Sequence, residues 1–263
     1  MKLYRITAYT ARYLYLYKRS LPRLMEVFYW PLVDLFVWGF ITVYLSAYKG
    51  ALPDFVGFFL GALILWDMLF RCQQGITVSF LEDMWSRNLL NIFVSPLSPA
   101  EYVCSLLAMS VIKLILASSV MILAAFAFYS FNVFQMGFAL VPLAANLLVM
   151  GWAVGIITTA VIMRFGQETE VLAWGIAFLF QPFSAVFYPV SVLPPIMQKI
   201  AFYIPSSHIF EGMRAIIAGK PFPTDEVLCA ALLNAGYLAA AIVFFIWTFK
   251  SVKRKGLLVK IGE

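Results

Sequence analysis

The sequence predicts an all-α integral membrane protein: an N-terminal interfacial amphipathic helix, then six transmembrane helices, with a re-entrant segment between the fifth and sixth. Three observations predict it. The 263 residues are 63% hydrophobic and only 12% charged, whereas soluble domains hold about 25% charged residues. The apolar residues fall in runs of about twenty, the length that crosses a hydrocarbon core of roughly 30 Å. The lysines and arginines gather at the two ends of the chain and in short loops instead of spreading over a surface. Little chain is left for a large extramembrane domain.

Residues 1–26 form the first unit. Arg5, Arg12 and Arg19 recur every seven residues, and Arg23 follows four later, so they stack along one side of a helix. Leu3, Ile6, Tyr13, Tyr17 and Leu24 fall largely on another side, and tyrosines at 4, 9, 13, 15 and 17 suit a headgroup layer. This predicts a helix lying on the cytoplasmic leaflet, ended or kinked by Pro22. Cations interrupt these residues throughout, so they do not read as a signal peptide.

The six-helix domain covers 27–249, with spans at about 27–46, 55–80, 103–128, 137–163, 171–188 and 227–249. The connections are a short loop at 47–54, a polar stretch at 81–101, an uncharged turn near Ser130–Asn132, a charged loop at 164–170 and a proline-rich outer region at 189–218 that runs on to the last span. A basic tail occupies 250–263. Gly57 and Gly61, and Gly151 and Gly155, are small-residue pairs one turn apart that let helices approach closely; packing within the chain is the simpler reading of both.

Orientation follows from the cations. With the N-terminus inside, thirteen lysines and arginines lie on the cytoplasmic side and four (Lys49, Lys199, Arg214, Lys220) lie outside. That is a positive-inside bias, with both termini cytoplasmic. The same layout makes membrane lipids the partner of the positive charge and excludes nucleic acid. Cys72, Cys104 and Cys229 form no close pair, so neither a disulfide framework nor a metal site is implied.

Two segments carry functional signals. Residues 81–93 read as a short amphipathic helix between the second and third spans, with Leu81, Trp85, Leu89 (or Leu90) and Phe93 on one stripe, and Ser95-Pro96-Leu97-Ser98-Pro99 redirecting the chain. A charged helix held between two spans is placed to receive a push from a soluble partner; a plain loop helix is the bland alternative. In the second segment, Pro182, Pro189, Pro194 and Pro195 forbid a regular helix. Irregular apolar backbone at membrane depth must be buried in protein or line a cavity, so a re-entrant helix pair near an outer gate fits.

Four charges fall inside predicted spans: Asp34, Asp67, Arg71 and Lys113. Each costs on the order of 2.5–3.5 kcal/mol at a helix centre, so each must pair or face water. Asp67 and Arg71 are four apart and can pair directly; Lys113 is placed to reach Asp67; Asp34 has no partner in its span and faces a wet cavity or a partner subunit. A gating or polar lining role stands beside a purely structural one. His208 is the one histidine, near Glu211. No G-x-x-x-x-G-K-[ST] phosphate loop occurs, so any ATP must be handled by another chain.

The acidic helix running into Ser95-Pro96-Leu97-Ser98, followed by Tyr188-Pro189-x-Ser191-x-Leu193-Pro194 and Pro205, resembles the ABC type-2 permease family, the transmembrane subunits of ATP-binding-cassette exporters. The resemblance covers essentially the whole chain. It implies a bacterial or archaeal cytoplasmic membrane, a homodimer or heterodimer of this subunit, and two ATPase subunits that bind the ATP and Mg. It implies that residues 82–93 are the coupling helix, with Glu82, Asp83, Trp85, Arg87 and Leu89 meeting the ATPase. Arg164, Glu168 and Glu170 form a possible second contact. Tyr188, Pro189, Leu193, Pro194 and Pro205 would form the outer gate. Drug, lipid and lipid-linked saccharide all remain open as cargo. A membrane-embedded enzyme, which would need clustered Asp or His at one membrane face, and an assembly protein are the rivals.

Overall fold

A computed structural model describes residues 1–49 and 55–256 of the chain. Among the described residues the regular structure is helical: α1 (Leu3–Lys18), α2 (Leu21–Lys49), α3 (Phe55–Trp85), α4 (Leu89–Val94), α5 (Pro99–Tyr129), α6 (Leu140–Phe165), α7 (Leu172–Phe180), α8 (Pro195–Phe202), α9 (Pro205–Ile217) and α10 (Thr224–Arg254). Among the described residues, five helices are long and apolar enough to cross a membrane: α2, α3, α5, α6 with the 3₁₀ turn before it, and α10. Residues 50–54 of the expected outer loop and 257–263 of the expected tail lie outside the described residues; the first residues of that tail continue α10.

The fifth expected span, 171–188, is not a long helix. α7 has nine residues, and turns replace the helix from Gln181 to Tyr188. Pro182 and Pro189 cannot supply the backbone N–H groups a continuing helix needs, and Ala185 takes the left-handed conformation at φ 52. The segment nevertheless runs along α3. Gln73 donates to the Ala173 carbonyl at 3.1 Å, Phe178 sits 5.1 Å from Phe70, and Phe187 stacks on Phe59 at 4.6 Å. Phe70 to Phe59 is about 16 Å of helix, so the half-unwound segment follows much of the apolar length of α3. Its irregular backbone is shielded by packing, as apolar surroundings require.

The N-terminal unit also differs from expectation. α1 ends at Lys18, and Pro22 lies in the first turn of α2, where its missing N–H costs nothing. Pro22 therefore starts a helix and does not end one. α1 lies against α5 and α2, with Thr10, Tyr13 and Tyr17 buried; Tyr13 and Tyr17 do not serve a headgroup layer.

α3 is the central helix: 72% of its apolar stretch is buried, against 22% for α2 and 17% for α10. Close backbone approach makes this possible. A Cβ on Gly75 would stand 2.6 Å from Ser110 of α5, and one on Gly151 of α6 would stand 2.6 Å from the Leu69 carbonyl. Gly155 likewise meets Gln73 and Ile76, while Gly57 and Gly61 face Phe131 and Met136. Both glycine pairs serve packing within the chain. α5 starts on a capping box: Ser98 accepts from the Glu101 N–H, Glu101 accepts from the Ser98 N–H, and Pro99 begins the helix.

Candidate functional site

Asp83 occupies the last turn of α3 and is fully buried. One carboxylate oxygen accepts from Tyr9 at 2.8 Å, from Tyr102 at 3.0 Å and from Tyr13; the other accepts from Arg12 at 2.8 Å. Three phenols and a guanidinium satisfy the charge and tie α1 and α5 to the end of α3. Burial foremost, with the Asp83 charge adding, raises the Tyr9 and Tyr13 phenols above their ordinary range, so they remain O–H donors. Glu82 pairs with Arg23 at 3.1 Å and accepts from Tyr17 at 3.3 Å. Neither carboxylate faces outward, which corrects the expectation that both meet a partner directly.

The expected helix 82–93 is two pieces. α3 stops at Trp85, and Arg87 turns left-handed at φ 52. The Asn88 N–H bonds the Asp83 carbonyl and the Arg87 N–H bonds the Met84 carbonyl, the pairing of a Schellman cap. α4 then runs from Leu89 to Val94, burying Leu89 and Ile92. Trp85, Arg87, Leu90, Asn91 and Val94 are left exposed. The Trp85 indole stacks on Trp174 and donates to Glu170 at 2.9 Å. Two segments singled out separately in the sequence are thus one surface. Arg164 packs instead over Phe165 and Trp247, and Glu168 is exposed.

Of the four charges inside spans, the structure gathers three. Asp67 accepts from Arg71 at 3.0 Å, and Asp34 and Asp67 both line a cavity of about 340 Å³. Lys113 does not reach Asp67. It donates to Ser79 at 3.0 Å and sits 4.6 Å above the Tyr17 ring, toward the Asp83 end.

At the far end, Arg214 donates to the Ala185 carbonyl at 2.8 Å and pairs with Glu211, which accepts from the Val190 N–H at 2.7 Å. This ion pair staples the turn that carries Tyr188 and Pro189. The Tyr188 hydroxyl donates to the Pro182 carbonyl, Leu193 is buried, Pro194 is exposed before α8, and Pro205 opens α9 inside the packed region. His208 meets Glu226 at 2.6 Å and not Glu211, with the Phe202 carbonyl on its other nitrogen. Among the described residues no group of three His, Cys, Asp or Glu is arranged to hold a metal ion.

Sequence reading missed the partners of Asp83, because Tyr9, Tyr13 and Tyr102 lie 70 or more residues or a helix away from it and nothing local links them. It also missed Glu211 and Arg214, and the capping box, which Ser98-x-x-Glu101 does signal.

A bundle of long apolar helices with a few buried charges is the build of a multi-pass membrane protein. The family model described as ABC-2 family transporter protein matches residues 36–249. The chain therefore belongs to the ABC-2 transporter family and is a multi-pass membrane protein of the permease type. Family members of this type work with ATPase subunits and typically lack an ATPase site of their own. No curated protein matches the chain.

Proposed function

We propose that the chain is the permease subunit of an ABC exporter, moving a hydrophobic or amphipathic cargo out across a bacterial or archaeal cytoplasmic membrane, with ATP and Mg bound by a separate ATPase. The observation that carries this reading is the exposed cap made by Trp85, Arg87, Leu90 and Val94, with the half-buried Glu170 bonded to Trp85. This cap follows the buried central helix α3 through a single tight turn at Arg87. A partner pressing on that cap acts on α3 directly, and α3 carries Asp67 and Trp66 in the cavity wall and Phe59 against Phe187 at the far end. The Asp83 cluster makes α1 and α5 move with it.

The cation distribution supports cytoplasmic termini, so the cap faces the cytoplasm and the 189–218 region is the outer re-entrant segment. Two ATPase subunits and a second copy of this chain complete the transporter. The wide apolar face of α2, with Tyr29, Trp30, Val37 and Phe40 exposed, supports a homodimer seam. The test is reconstitution of the chain with candidate ATPases encoded near it. ATP hydrolysis should rise when the two are combined and respond to cargo, and Trp85→Ala should remove the response while leaving the bundle folded. Hydrolysis that ignores the permease would move the reading toward a membrane enzyme or assembly protein.

A further inference from the structure

The cavity beside Asp34 has a wall whose chemistry selects what it holds. Six aromatic side chains line it: Trp38 of α2, Trp66 and Phe70 of α3, Phe178 of α7, and Phe187 and Tyr188 of the unwound turn. Between them stand aliphatic groups and Gln181. The ionisable groups among the lining residues are two carboxylates, Asp34 and Asp67; no lysine, arginine or histidine is among them.

The two carboxylates are not equivalent. Asp67 is 5% exposed, gives one oxygen to Arg71, and has its other oxygen buried with no partner. Arg71 is not among the lining residues; it pairs with Asp67, Gln74 accepts from it at 3.1 Å, and its single positive charge lies within electrostatic reach of both carboxylates. Asp34 makes no hydrogen bond or ion pair among the described residues. With one cation for two carboxylates, the aromatic-lined cavity carries one carboxylate charge in excess, and Asp34 is the exposed member of the pair.

We propose that this cavity binds a lipophilic organic cation: an ammonium, phosphonium or protonated amine flanked by apolar groups. Aromatic faces attract such a cation through their quadrupoles, most strongly where water is displaced. The excess carboxylate pairs with its charge. The volume of about 340 Å³ lies in the range that holds drug-sized ligands. Competing occupants fit worse. A neutral lipid would strip water from Asp34 and leave its charge unpaired. An anion would face two lining carboxylates. A bare Ca²⁺ or Mg²⁺ needs about six oxygen ligands, and two carboxylates and one amide fall short. That the bound cation is cargo rests on the permease reading; that it binds does not.

The test is equilibrium dialysis of tetraphenylphosphonium against the full chain in lipid nanodiscs, without any ATPase. Tetraphenylborate, the same shape with opposite charge, is the control. The expected result is saturable binding of the phosphonium, weakened tenfold or more by Asp34→Asn and severalfold by Trp38→Ala, with no saturable binding of the borate. Asp34→Asn leaves the Asp67–Arg71 pair intact and so preserves the fold. Absence of saturable phosphonium binding, equal affinity in Asp34→Asn, or borate binding as tight as phosphonium would each overturn the proposal. Copurification of an ATPase with Asp34→Asn reports on the permease reading separately, because Asp34 is remote from the cap.

Discussion

The Trp85 indole donates a hydrogen bond to the Glu170 carboxylate at 2.9 Å. This joins the end of α3 to the turn before α7, and with the Trp85–Trp174 stack it makes one surface from two loops 85 residues apart. Trp85→Phe keeps an aromatic ring and loses the donor; Glu170→Gln keeps an acceptor and loses the charge. An exposed hydrogen bond of this kind contributes about 1 kcal/mol, so neither change should shift the melting temperature greatly. Both should weaken ATPase binding severalfold, read by titration of the purified ATPase.

Arg87 separates charge from conformation. A non-glycine residue in the left-handed region costs roughly 1–2 kcal/mol. Arg87→Gly should therefore raise thermal stability while removing the charge, and Arg87→Ala should remove the charge with no such gain. If the cap acts through its shape, Arg87→Gly retains ATPase binding; if it acts through charge, both variants lose it equally.

The Asp83 cluster should dominate stability at its end of the bundle. Asp83→Asn leaves Arg12 without its carboxylate and should cost about 3 kcal/mol, whereas Tyr13→Phe removes one donor and should cost about 1 kcal/mol. Thermal unfolding in detergent measures both. The pH sign follows from the raised phenols: their contribution is complete below the ordinary tyrosine value of about 10 and is lost as pH rises above it. The stability gap between the native chain and Tyr9→Phe should therefore narrow at strongly alkaline pH and stay constant near neutrality.

Gly151→Val should disrupt the α3–α6 contact. Its Cβ would meet the Leu69 carbonyl at 2.6 Å and the Cys72 Cβ at 2.7 Å, and overpacking of this kind costs about 1–3 kcal/mol. Gly175→Ala, with nothing within 4 Å of the added atom, should be neutral or slightly stabilising, because alanine is the better helix former. Equal melting temperatures for the two variants would contradict the packing.

The long spans were legible because twenty-residue apolar runs have one stable solution in a bilayer. The Asp67–Arg71 pair was legible because i,i+4 spacing decides it locally. The irregularity near Pro182 and Pro189 was also readable, but not that α7 would stop at Phe180, since turns and helix alike satisfy backbone groups once the segment is packed on α3. The break at Arg87 carried no signal, because such caps usually hold glycine. The burial of Glu82 and Asp83 depended on where α1 docks, and long-range docking has no local spacing. Depth alone places Lys113 near Asp67, but depth does not say which way a side chain points, and Lys113 reaches Ser79.

The central claim is that the Trp85–Val94 cap receives the ATPase and passes its movement to α3. Copurification tests it most directly: the chain is expressed with candidate ATPases encoded near it and pulled on a C-terminal tag. The account predicts a stable complex holding two ATPase copies, lost when Trp85, Leu90 and Val94 are replaced by Ser, and kept in Asp34→Asn. A complex unaffected by the triple replacement, or no complex with the native chain, would contradict it.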